Sequence, residues 1–234
     1  MGPAWPAGCV GPSGHTDIVL LDLVLPLECG GCGAPSTRWC DTCARALAVK
    51  PTEPELISPR LDPGVPVFSL GRYAGPRRSA ILAVKERGRA DLVPVLAQAL
   101  NAALSNLLSW GIVADPLTLV PAPTRRSTAR LRGGDPVTRI AAAACTRDGA
   151  VAPVLRTKAF TRDSVGLSAG QRQQNIAGRI VMKGCVGERM RGRADGEVVL
   201  VDDISTTGAT ATESVRVLQS AGARVAAVVV IAHA

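Results

Sequence analysis

The sequence predicts an α/β fold, with a mainly parallel sheet flanked by helices and a small N-terminal four-cysteine zinc-binding module. Three observations predict it. Aliphatic runs of strand length without polar alternation occur in "VFSL", "PLTLV", "EVVLV" and "ARVAAVVVIA", as expected of strands buried on both faces. Stretches with helical spacing lie between these runs, which is the order a parallel sheet needs. Four cysteines in two close pairs stand ahead of the first run. Of the 234 residues 47% are hydrophobic, so a packed core is expected, and only 3% are aromatic, so Val, Leu, Ile and Ala must build it.

Residues 1–16 ("MGPAWPAGCVGPSGHT") are rich in Gly and Pro and read as a flexible N-terminal extension. They lack the charged start and long apolar stretch of a secretory signal. No apolar run reaches membrane-spanning length. A cytoplasmic protein without membrane insertion is therefore expected, and in that compartment clustered cysteines indicate metal rather than disulfides. Residues 17–48 form the expected module, with Cys29, Cys32, Cys40 and Cys43 in the pattern C-x2-C-x7-C-x2-C. Two residues between cysteines let both thiolates turn toward one point, and Gly30, Gly31 and Gly33 permit a tight backbone. Four thiolates leave no open position for substrate, so a structural Zn2+ is the reading, with paired redox cysteines or an iron–sulfur site as the alternatives. Cys9, Cys145 and Cys185 stand alone and read as incidental thiols.

Residues 49–66 are polar and proline-rich and read as a linker. Residues 67–234 form the main domain. "VFSLGRYAG" reads as strand and turn, and residues 76–111 as two helical stretches, the second with Leu92, Val95, Leu96, Ala99, Leu100, Ala103, Leu104 and Leu107 on one face. "PLTLVPAP" is a short buried strand entering a proline-marked loop. "DPVTRIAAAACTRDG" is a helix with Asp135 as N-cap and Pro136 at its first position. The basic stretch from Lys158 to Arg179 reads as a mobile loop with a short helix near residues 168–176. "EVVLVD" is a buried strand, "TTGATATESVRVLQSAG" a helix stopped by Gly222, and "ARVAAVVVIA" the last buried strand.

The motif "VVLVDDISTTGAT" carries the chemistry. Ligands of parallel sheets bind at the carboxyl ends of the strands, and Asp202 and Asp203 stand at such an end. Gly208 and the threonines expose backbone N–H groups at a helix N-terminus, while Thr206, Thr207 and Thr210 add hydroxyls. This is a phosphate cradle. It is neither a Walker A loop, since no Gly-Lys-Ser/Thr closes it, nor a GxGxxG turn. Carboxylates beside a phosphate have two uses, which are accepting hydrogen bonds from ribose hydroxyls and holding Mg2+ through water. Both make the ligand a sugar phosphate.

That motif resembles the phosphoribosyl pyrophosphate (PRPP) site of type I phosphoribosyltransferases. Four further segments resemble one branch, the competence-protein ComF family: "LVLPLECGGCG…WCDTC", "GRYAGPRRSAILAVKERGRADL", "LVPAPTRRSTARLRGG" and "GLSAGQRQQNIAG". The resemblance implies a type I phosphoribosyltransferase-like sheet and a pentosyl transfer that releases pyrophosphate. It implies Asp202 and Asp203 on the ribose hydroxyls of PRPP, with Mg2+ nearby. Ser205, Thr206, Thr207, Gly208, Ala209 and Thr210 would hold the 5′-phosphate. Pro123 and Thr124 would face the pyrophosphate, with Arg125 and Arg126 behind them, and Lys158–Arg179 would close over the site. Two departures stand out. Gly134, Asp135 and Pro136 replace the family's Phe-Asn-Gln, and "RDSVGLS" lacks its Gln.

The net charge is +8, and 15 of the 27 Lys and Arg but only 5 of the 19 Asp and Glu lie between Leu117 and Gly196. This suits a polyanionic partner, either a phosphorylated small molecule or nucleic acid, with a solvated basic face as the alternative. Three functional classes follow: an enzyme transferring phosphoribosyl to an unidentified acceptor, a PRPP or nucleotide sensor without turnover, and an accessory factor of DNA uptake or recombination that binds single-stranded DNA and other competence proteins. Phe160 is the single aromatic residue of the basic segment, which offers little base-stacking surface to the third class.

Overall fold

The structure is a computed structural model, and it describes residues 27–123, 135–145, 149–158, 178–183 and 196–234. In chain order its elements are α1 (Asp41–Leu47), β1 (Glu55–Ile57), β2 (Val67–Ser69), α2 (Gly75–Glu86), a 3-10 turn (Ala90–Leu92), α3 (Val93–Ser109), β3 (Leu117–Pro121), α4 (Pro136–Ala144), β4 (Ala150–Val151), β5 (Leu155–Thr157), β6 (Ile180–Met182), β7 (Glu197–Ser205), α5 (Ala209–Ser220) and β8 (Val225–His233). The N-terminal extension, Thr124, Arg125, Arg126 and the expected helix near residues 168–176 lie outside the described residues.

Six strands form one sheet in the order β1-β2-β8-β7-β3-β4. Every pairing in it is parallel except β1 with β2. Strand alternation splits the aliphatic residues between two faces. Leu117, Leu119, Val199, Val201, Ala227, Val229 and Ile231 pack with α2, α3 and α4. Val120, Val198, Leu200, Val228 and Val230 pack with α5 and with the β5–β6 hairpin. The fold is thus a mixed α/β, mostly parallel sheet with helices on both faces, as the aliphatic runs predict.

Local sequence sets the helix ends. Asp135 caps α4, its carboxylate accepting from the Val137 N–H at 3.3 Å and from the Thr138 hydroxyl at 2.6 Å. Gly208 precedes α5 with φ +83°, and Gly222, with φ +85°, follows its end. In α3, Leu96, Leu100, Ala103, Leu104 and Leu107 recur at helical spacing and are buried. The stretch Ala90–Ser109 is long and apolar enough to cross a membrane by length and composition, contrary to the sequence expectation, and half of it is buried inside the fold.

Three further readings change. The segment 49–66, expected as a linker, contains β1, which closes one edge of the sheet. The basic stretch expected as a loop is bounded by the short antiparallel pair β5–β6. β7 also runs past the paired aspartates to Ser205. β3 ends at Pro121, opposite Val201, so β7 extends four residues beyond it.

Candidate functional site

The strand order places the site. From β3 the chain moves outward to β4, while from β7 it passes through α5 to β8 on the other side. The connections diverge between β3 and β7, and ligands of open α/β sheets bind at such a divergence. Two expected segments meet there. The Ala122 N–H bonds the Val201 carbonyl at 2.8 Å, which brings Ala122 and Pro123 beside the start of the aspartate pair.

After β7 the chain turns through Thr206, Thr207 and Gly208 into α5. A pocket at this turn is lined by Asp202, Ile204, Ser205, Thr206, Thr207, Gly208, Ala209, Thr210, Ala211 and Val230. Seven of the expected ligand residues are therefore brought together. Among the described residues no acceptor takes the N–H groups of Thr206, Thr207 and Gly208. Free amides at the positive end of a 12-residue helix suit an anion.

The loop is held from behind. The Leu61 N–H donates to the Thr207 carbonyl at 2.9 Å, and the Thr212 hydroxyl donates to the Leu61 carbonyl at 3.1 Å. A Cβ on Gly208 would lie 2.8 Å from Pro59 Cβ and closer still to the Leu61 carbonyl oxygen. Residues 59–61 thus strap the loop. Nothing local in their sequence marks this role, because it arises from the return path of β1.

Asp202 and Asp203 do not act as one acidic patch. Asp202 is half-buried and lines the pocket, with its Oδ1 accepting the Asp203 N–H at 2.8 Å. Burial first, then the Asp203 carboxylate, raise the pKa of Asp202. Asp203 is buried, and its Oδ2 lies 2.8 Å from Lys85 Nζ on α2. Burial works against the Lys85 charge, yet the Asp203 carboxylate and then Asp202 hold its pKa above the usual lysine value. Sequence reading missed Lys85, since 118 positions of chain separate it from Asp203 and only the β7–α2 packing joins them.

The ends of the basic stretch are also fixed. Lys158 N–H bonds the Arg179 carbonyl at 2.8 Å, and Gly178 N–H donates to Glu213 Oε1 on α5 at 2.8 Å. Glu213, buried and paired with Arg216, anchors that base; the Arg216 hydrogen bond holds its pKa low. Thr124, Arg125 and Arg126 lie outside the described residues.

The second cluster is the cysteine module. The sulfurs of Cys29, Cys32, Cys40 and Cys43 all lie within 4.8 Å of one another. A tetrahedral ion bound at 2.3 Å by four thiolates requires separations of about 3.8 Å, and Cys32 and Cys40 are 3.6 Å apart. Burial opposes ionisation of Cys29, but backbone N–H groups from Cys32, Cys40 and Gly31 outweigh it and lower its pKa to about 6. Burial, reinforced by the other three thiols, raises that of Cys43. The four cysteines can hold a structural metal ion. The glycines serve it differently than expected. Only Gly33 has positive φ, whereas a Cβ on Gly31 would lie 2.5 Å from Cys43 Sγ.

No family model matches the chain, and no curated protein matches it.

Proposed function

We propose that the protein binds PRPP and transfers its phosphoribosyl group to an acceptor, releasing pyrophosphate, as a type I phosphoribosyltransferase-like protein of the ComF branch. The observation that carries this reading is the pocket from Asp202 to Thr210. It combines a carboxylate, a helix N-terminus and loop amides with no acceptor among the described residues, at the divergence point of a parallel sheet. The amides of Thr206, Thr207 and Gly208, with the hydroxyls of Thr206, Thr207 and Thr210, grip the 5′-phosphate. Asp202 accepts hydrogen bonds from ribose hydroxyls. The resemblance assigns the pyrophosphate to Pro123, Thr124, Arg125 and Arg126, and arginines make strong charge-assisted contacts with such an anion. Bound Mg2+ would supply charge neutralisation of the pyrophosphate. The anomeric carbon gains oxocarbenium-like charge as the leaving group departs, so fixing the ribose and shielding it from water supply much of the catalysis. The cysteine cluster holds Zn2+ in a structural role: its four sulfurs leave no open position, and Gly31 makes room for Cys43.

Titration calorimetry and thermal shift with PRPP and Mg2+ test the reading. Saturable binding with a rise in the unfolding midpoint is expected, and silence at millimolar PRPP refutes it. Pyrophosphate release on screening nucleobases and amines identifies transfer; binding without release identifies a sensor.

A further inference from the structure

This inference rests on the PRPP reading of the pocket and concerns how its two aspartates divide their work. Adjacent residues of a strand leave the sheet on opposite faces. Asp202 pairs in register with Val230, which packs on the α5 side, and Asp202 lines the pocket. Asp203 follows the parity of Val199 and Val201, which pack on the side of α2, α3 and α4. It is absent from the pocket wall, is 6% exposed and meets Lys85 at 2.8 Å.

We propose that Asp202 alone addresses the ligand's sugar hydroxyls, and that Lys85 is a positioning residue acting on it through Asp203. The chain of contacts is short. The Lys85 ammonium fixes the Asp203 carboxylate on the helical side. A fixed Asp203 fixes its own peptide, and the N–H of that peptide donates to Asp202 Oδ1 at 2.8 Å. The carboxylate facing the pocket is thereby aimed, with its second oxygen left for the ligand. Stability alone accounts poorly for such a pair, because a buried ion pair adds little over apolar residues of similar size. Positioning accounts for a lysine that reaches from α2 to a strand end in the site.

Calorimetric titration of the full-length protein with PRPP and Mg2+ tests this on Lys85→Met, Lys85→Arg, Asp203→Asn, Asp202→Asn and the Lys85→Met/Asp203→Asn pair. Lys85→Met and Asp203→Asn are each expected to weaken binding by about tenfold, and the double variant by no more than either alone, because the residues act as one unit. Lys85→Arg keeps the charge and is expected to bind within about threefold of wild type. Asp202→Asn is expected to lose binding altogether. Wild-type binding by Lys85→Met, or loss in Asp203→Asn as complete as in Asp202→Asn, overturns the proposal. Unfolding midpoints of the same ligand-free proteins form a second arm. Non-additive losses for Lys85 and Asp203 support the coupling, and additive losses overturn it. Should Lys85→Met fail to fold, the comparison of Asp203→Asn with Asp202→Asn still decides. A wild type silent to PRPP defeats the functional reading instead, and the ligand-free arm then decides whether Lys85 holds Asp203.

Discussion

At the scale of single residues, Gly208 and Asp202 set the terms of the site. Gly208 adopts φ +83°, and any Cβ there would run into the Leu61 carbonyl oxygen. The left-handed conformation costs a side chain about 1–2 kcal/mol, and displacing a backbone carbonyl adds to it. Gly208→Ala is therefore expected to lower unfolding stability by about 2–3 kcal/mol in a urea titration and to weaken PRPP binding. A variant as stable as wild type would mean that the strap at residues 59–61 does not press on the loop. Asp202 makes a pH prediction. Burial and then the neighbouring Asp203 raise its pKa, so the folded chain holds this proton more tightly than the unfolded chain. Stability then falls as pH rises from the ordinary carboxylate range through the raised value, since the folded state must release the proton it favours. Asp202→Asn has no such proton, and the ligand-free variant is expected to gain on wild type as pH rises above about 5. Parallel pH profiles for the two proteins would contradict this.

At the scale of elements, the strands and long helices were legible because each carries its own periodic or continuous apolar pattern. β7, β8, α3 and α5 follow the aliphatic runs and the helical spacing. The start of α4 was legible down to its cap, although the helix stops at Ala144, short of the expected end, and Asp135→Ala is expected to cost about 1 kcal/mol in denaturant unfolding, with no loss if the cap is dispensable. That cap also gives Asp135 and Pro136, which belong to one of the two departures from the pattern the sequence resembles, a helix-starting task. β1, β5 and β6 were not legible. Each has only three residues, too few for a pattern, and each exists through pairing with a distant partner. The site divides in the same way. The loop from Ser205 to Thr210 was readable because strand, loop and helix are contiguous. The Leu61 strap, the Glu213 anchor and the Lys85–Asp203 pair are long-range products of packing, and the opposite facing of the two aspartates appears only once both belong to one strand.

At the scale of the whole molecule, the cysteine module and the sheet share one core, although their sequences differ in character. Leu47, at the end of α1, is buried in the same cluster as Leu96, Leu100 and Val201. A Cβ on Gly30 would enter the Leu92 side chain, and Arg89 donates to the Glu28 carbonyl at 3.1 Å, while Asn106 holds the segment that follows the module, donating to the carbonyls of Lys50 at 3.0 Å and Glu53 at 2.7 Å. Lys85 stands in the last turn of α2 and Leu92 ends the 3-10 turn that follows, so the elements that hold the module also hold the aspartate pair. Metal binding to the four cysteines should accordingly stabilise the whole chain and not the module alone. Structural Zn2+ contributes on the order of 10 kcal/mol in small modules. If only about 3 kcal/mol of this reaches the global transition, the midpoint falls by about 10 °C on chelation in a chain of this size. Calorimetry with a chelator, or of Cys43→Ser, is expected to give one transition at the lower temperature. A separate early transition with the main one unmoved would mean that the module and the sheet unfold independently, and that Leu47 and Gly30 do not couple them.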